Sequence, residues 1–87
     1  MPEPDKELEE MLKTFLHQDK NRKENPAFGT RAAENTLMSI CEFMKTQGAA
    51  ISDDARKSTV ATLQKMNLVP YRSYLREHLL DIGVTNV

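Results

Sequence analysis

The feature that most constrains the fold is a row of apolar residues between positions 8 and 16. They follow the i, i+3, i+4, i+7, i+8 spacing of one face of an α-helix. The residues between them are mostly charged or polar, so the segment from about residue 5 to 18 is predicted to be an amphipathic helix. A helix of this length is marginal alone in water and needs a partner surface. The apolar residues of this stripe are Leu8, Met11, Leu12, Phe15 and Leu16.

Three more helices are predicted from end signals. Thr30 is a fair N-cap for a second helix, and Gly48 stands where helix C-termini favour glycine. Ser52, followed by two aspartates, predicts the start of a third helix, because carboxylates are favoured in a first turn. Pro70 predicts the first residue of a fourth helix, which Gly83 closes. The chain is therefore predicted to be all-α, with four helices.

The order of these segments predicts a three-helix core and an arm. The stretch HQDKNRKENPAFGT, residues 17 to 30, is polar and contains a proline and a glycine, so it is predicted to be a long loop that tethers the first helix loosely. We expect one helical domain over residues 1–87, in which 1–29 is the N-terminal helix and linker arm, about 30–83 is the core and 84–87 is a tail.

Composition narrows the functional classes. The single cysteine, Cys41, excludes an intramolecular disulfide, and it has no metal-ligand spacing with His17 or His78. Motifs of phosphate binding or nucleophilic catalysis are absent from the sequence. The acidic start does not resemble a signal peptide, and no apolar run is long enough to span a bilayer. We therefore expect a cytoplasmic, non-enzymatic protein without metal or cofactor.

Two apolar residues fall outside the predicted core faces. Met38 lies on the polar side of the second helix, and Leu80 lies with Arg72 and Arg76 opposite the inward stripe of the fourth. A domain this small gains from covering such surface, either with its own first helix or with that of a second copy in a homodimer. The predicted partner-binding residues are the first-helix stripe, Leu8, Met11, Leu12, Phe15 and Leu16, together with Met38, Arg72, Arg76 and Leu80.

These features favour a small protein-protein interaction module. We expect a homodimeric regulator or adaptor that binds and modulates a larger protein, of the anti-activator or inhibitor type. The partner's identity is left open. An amphipathic helix or a groove between helices is the surface that would bind it.

The alternative is DNA binding through the helix pair at residues 53–82, which resembles a helix-turn-helix unit in outline. The resemblance departs from that pattern at Leu63, where a small residue is usual, and the turn lacks glycine. The net charge of −1 also weighs against phosphate neutralisation. In this alternative the DNA-contacting residues are Arg56, Lys57, Arg72 and Arg76.

The C-terminus offers one short motif. Thr85, Asn86 and Val87 resemble the C-terminal ligand of a PDZ domain, in which a hydroxyl residue stands two positions before an apolar carboxy-terminal residue. Whether this tail is a ligand is left open, and it would serve as one only if the chain after Gly83 is mobile.

Overall fold

The computed structural model describes residues 3–85, and the side chains of all of these except 27, 28, 72 and 74. The described residues contain no strand and form four α-helices. The predicted all-α, four-helix class is confirmed. The helices are α1 (Glu3–Arg22), α2 (Pro26–Thr46), α3 (Asp53–Gln64) and α4 (Arg72–Asp81).

The connection between α1 and α2 is much shorter than predicted. Helix α1 continues through the polar residues after position 16 and ends at Arg22. Its last turn carries Lys20 and Arg22, which favour this end of the helix because they offset the negative end of the helix dipole. The Thr36 hydroxyl of α2 donates a hydrogen bond to Gln18. A polar segment thus remains helical because a neighbouring helix supplies it with partners.

Helix α2 likewise begins earlier than predicted. Asn25 precedes the helix in place of Thr30, and Pro26 occupies the first turn, where its missing N–H costs nothing. The Gly29 amide donates to the Asn25 carbonyl at 2.9 Å, so this glycine lies within the helix. Only residues 23–25 connect α1 to α2, and this short turn replaces the loose tether.

Gly29 is required by the close approach of the two helices. A Cβ atom built at Gly29 would lie 2.4 Å from the Cα of Arg22, a backbone atom that cannot rotate away. We expect Gly29→Ala to lower the free energy of unfolding by about 1–3 kcal/mol, although alanine normally stabilises a helix relative to glycine. Urea denaturation followed by circular dichroism measures this, with Glu42→Ala on the exposed face of α2 as the control. Equal or higher stability of the Gly29 variant would contradict the close approach.

All four helices contribute residues to the core. Helix α1 packs most extensively on α2 and more briefly on α3, while α4 packs on α2. Phe15 of α1 is fully buried and meets Tyr71 edge to face, with ring centroids 5.7 Å apart. The other buried apolar residues are Leu8, Ala33, Leu37, Ile40, Cys41, Met44, Ile51, Leu63, Leu68, Leu75, Leu79 and Val84.

The predicted start of α3 and the predicted end of α4 are confirmed, whereas the predicted start of α4 is two residues early. The Ser52 hydroxyl accepts a hydrogen bond from the Ala55 amide at 3.2 Å and caps α3. Pro70 lies in the turn before α4 rather than in its first position. Gly83 closes α4 with φ of +99°, and the Val84 amide donates to the Leu79 carbonyl at 3.0 Å. This is a Schellman ending, in which a residue with positive φ lets the chain turn back on the helix.

Candidate interaction surfaces

The predicted partner-binding stripe of α1 is used mainly inside its own chain. Leu8 and Phe15 are fully buried in the core, and Met11 and Leu12 are half-buried against it. These four residues pack inward because α1 lies between α2 and α3. Leu16 is the exception, with 38% of its surface exposed. Of the stripe, Leu16 is the residue best placed to meet another molecule.

The other predicted partner residues divide between the core and the surface. Met38, expected on a polar face, is half-buried and packs against the core, because α2 is contacted by α1 on one side and α4 on another. Leu80 is 45% exposed on α4, and Arg76 on the same helix is exposed. The side chain of Arg72 lies outside the described residues. Leu80 and Arg76 therefore define the outer face of α4.

The predicted DNA-contacting residues lie on two helices, α3 and α4, that pack mainly on different neighbours. The Arg56 guanidinium donates a hydrogen bond to the Gly48 carbonyl and is half-buried, whereas Lys57 is exposed. Helix α3 packs on α1, and α4 packs on α2. A helix-turn-helix unit depends instead on tight packing between its two helices.

A partly buried polar network joins the end of α1 to the start of α4. The Tyr71 hydroxyl donates to Asp19 Oδ1 at 2.6 Å and accepts from Arg22 Nε at 2.6 Å. Arg22 Nε also lies 3.0 Å from the same carboxylate oxygen, and its guanidinium lies 5.4 Å from the centroid of the Tyr71 ring. The three groups thus satisfy one another in a closed cycle.

This network stabilises the neutral tyrosine. Burial raises the pKa of Tyr71 well above its ordinary value, and the hydrogen bond to Asp19 raises it further. Asp19 and Arg22 fell in the loop predicted for residues 17 to 30, so the sequence pattern did not predict this network. An i, i+3 pair of opposite charge was the signal in the sequence that α1 extends this far.

A second polar contact joins the starts of α1 and α3. The Ser52 amide donates to Asp5 Oδ1 at 2.9 Å, and Asp5 is 5% exposed. Hydrogen bonds from the Ser52 side chain and backbone lower the pKa of Asp5, because they stabilise its charged form. The residue that caps α3 thereby also fixes α3 against α1.

A groove of about 480 Å³ runs along α1 and α3 beyond this contact. Its walls carry both apolar and acidic side chains. The α3 side includes small residues, which leave space next to α1. Glu9 stands on the α1 side and Asp54 on the α3 side. The groove is lined by Asp5, Leu8, Glu9, Leu12, Ser52, Asp54, Ala55, Ser58 and Thr59.

His78 and Cys41, which were considered from the sequence as possible metal ligands, have structural surroundings. Lys45 Nζ lies 3.0 Å from Asp81 Oδ2 and 3.0 Å from His78 Nδ1, so His78 helps to hold α2 to α4. Burial raises the pKa of Cys41 to about 11, which leaves the thiol protonated and poorly nucleophilic near neutral pH. Among the described residues, no group of three His, Cys, Asp or Glu side chains is arranged to hold a metal ion.

The described part of the C-terminal tail is held against α3. Val84 is fully buried, and the Thr85 amide donates to the Gln64 side chain at 3.1 Å. The Gln64 amide group in turn donates to the Thr85 hydroxyl at 3.1 Å. Asn86 and Val87 of the PDZ-like motif lie outside the described residues. The hydroxyl that this motif would present is therefore already engaged.

Comparisons with known proteins give no information on the function of this chain. Searches against protein-family models, curated proteins and solved structures find no match. None of the four helices that the structure describes is long and apolar enough to cross a membrane.

Proposed function

We propose that this chain is a non-catalytic protein-protein interaction module. It acts as a homodimeric regulator or adaptor that binds and modulates a larger protein, in the manner of an anti-activator or inhibitor. The observation that supports this proposal is Leu80, a large apolar side chain that stays 45% exposed on α4 after the bundle has closed. Arg76, Glu77 and Asp81 surround it on the same helix and are exposed as well. An apolar anchor within a charged rim is the usual arrangement of an interface.

Two further apolar side chains extend the exposed surface elsewhere. Leu16 is 38% exposed and Val69 is 59% exposed. Leu16 follows the buried Phe15 in sequence, and Val69 precedes the buried Tyr71 by two residues. These exposed apolar side chains are further candidates for the contact between two copies of the chain.

DNA binding is the alternative function, and fewer observations support it than support a protein partner. Lys57 and Arg76 are exposed cations, but they lie on helices that pack against different neighbours. Glu77 and Asp81 lie on the same helix as Arg76 and would repel phosphates. The charge pattern therefore favours a protein partner.

The test compares Leu80→Glu with Ser73→Glu, which adds the same charge at another exposed position of α4. The two variants and the parent chain serve as baits in quantitative affinity capture, and circular dichroism verifies that each is folded. We expect Leu80→Glu to weaken capture of a stoichiometric partner roughly tenfold or more, since an apolar anchor is lost, and Ser73→Glu to leave it unchanged.

Two other results would contradict the proposal. Equal capture by all three proteins would remove Leu80 from the interface. Salt-sensitive binding to a DNA duplex that is lost in Arg76→Ala would favour the alternative. Sedimentation equilibrium of the parent chain tests the homodimer separately, and a monomer at all concentrations would exclude it.

A further inference from the structure

We propose that the groove between α1 and α3, the acidic groove, binds a basic amphipathic helix of a partner protein. The inference deepens the proposed function and rests on it, because it assigns a partner chemistry to a second surface of the same module. Leu12 and Ala55, which are half-buried, provide the accessible apolar part of this groove, because Leu8 in its lining is buried. Glu9 and Asp54 stand on its two sides.

The dimensions of the acidic groove suit a helix. From Asp5 to Leu12 it follows α1 for eight residues, a rise of about 10 Å or two helical turns. On the α3 side its lining includes three short side chains, Ala55, Ser58 and Thr59. Because these side chains are short, α3 leaves space beside α1. Two helices with a gap between them offer ridges to a third helix, whereas the described residues contain no strand edge for an extended peptide.

The charges of the acidic groove select a cationic ligand. Neither lysine nor arginine is found among the described residues that line it. Asp5 is already satisfied by Ser52, but Glu9 is paired only with Lys13, at 3.3 Å between two exposed side chains. An exposed pair of this kind contributes little, so a ligand cation can replace it. Asp54, exposed in the first turn of α3, supplies the second carboxylate.

The same charges argue for another protein as the occupant. Nucleic acid would bring phosphates against Glu9 and Asp54. A second copy of this chain has a net charge of −1, and most of the apolar stripe of its own α1 is already packed against its core. Leucine-type side chains of the ligand would enter between Leu12 and Ala55, and its lysines or arginines would reach a carboxylate on either side.

The test uses a fluorescein-labelled 15-residue peptide with leucines along one helical face and lysines elsewhere, followed by fluorescence anisotropy in moderate salt. We expect saturable one-to-one binding to the parent chain. The double variant Glu9→Gln/Asp54→Asn is expected to bind at least tenfold more weakly. Its control is Glu7→Gln/Glu10→Gln, which removes two carboxylates from the same protein outside the acidic groove and is expected to change the affinity less than threefold.

A peptide of the same composition with a scrambled order separates recognition from simple charge attraction. It is expected to bind at least tenfold more weakly than the amphipathic peptide. Equal binding of the two peptides, or equal losses in the two double variants, would overturn the proposal. Ser58→Arg offers a second approach, because it fills the groove at an exposed position, and unchanged binding by this folded variant would also overturn it.

The peptide-binding test of the acidic groove is independent of the capture test with Leu80→Glu on α4. Leu80→Glu lies outside the acidic groove and is expected to bind the peptide like the parent chain. If the peptide binds but Leu80→Glu captures the same partners as the parent, the proposed interface at Leu80 is wrong and the proposed role of the acidic groove is supported. If the peptide does not bind but Leu80→Glu loses its partner, only the groove is excluded.

Discussion

Replacing Phe15 with alanine is expected to lower the free energy of unfolding by about 3–5 kcal/mol. The side chain is fully buried and its ring meets Tyr71 edge to face, so alanine would leave a cavity where α1 joins the core. A domain of this size has little stability in reserve. We expect the variant to be largely unfolded near 37 °C, as measured by urea denaturation followed by circular dichroism.

Leu16→Ala is the matched control for this change. Leu16 is the next residue on the same helix but is 38% exposed, so its truncation is expected to cost under about 1 kcal/mol. If Phe15→Ala is too unstable to measure, Phe15→Leu gives a smaller loss in the same direction. Equal effects at the two positions would show that α1 does not pack as described. A large loss of stability in Phe15→Ala alone would indicate that the apolar stripe of α1 mainly packs in the core and is not mainly a partner-binding surface.

Replacing Tyr71 with phenylalanine is expected to cost about 1–3 kcal/mol at neutral pH. The change keeps the ring against Phe15 but removes the hydroxyl, which donates to Asp19 and accepts from Arg22. Both charged side chains are less than one fifth exposed, so water replaces the lost hydrogen bonds poorly. Ser73→Ala, which removes an exposed hydroxyl from the same helix, is the control and is expected to have little effect on stability.

The pH dependence of stability gives a sharper readout of this network. Because burial and the hydrogen bond to Asp19 raise the pKa of Tyr71 in the folded chain, the folded chain keeps the phenolic proton that the unfolded chain loses above about pH 10. The contribution of Tyr71 is therefore complete below pH 10 and is lost as the pH rises beyond it.

We expect the stability of the parent chain to fall more steeply than that of Tyr71→Phe above pH 10, by up to about 1.4 kcal/mol per pH unit. Urea denaturation at several pH values between neutrality and strong alkali measures the difference. Parallel profiles of the two proteins would contradict the buried, hydrogen-bonded state of the Tyr71 hydroxyl.

Several parts of the fold followed from local sequence. The apolar stripe of α1, the Ser52 cap and the glycine that ends α4 all appear where predicted, because each acts within one or two turns of its own helix. The proposed interaction surfaces were less predictable. Leu80 was identified as exposed because it opposes the inward stripe, whereas the acidic groove forms between two helices whose relative position the sequence pattern does not specify.

The sequence by itself determined the fold class, the helical segments and the excess of acid near the N-terminus, since helical period, caps and charge are local properties. The tertiary structure decided which polar residues became helical and which apolar ones became accessible. Asp19 and Arg22 belong to α1 because Tyr71, about 50 positions away, completes their hydrogen bonds. Met38 is half-buried because two helices contact α2. The free energy of such contacts depends on segments distant in sequence, which local patterns cannot specify.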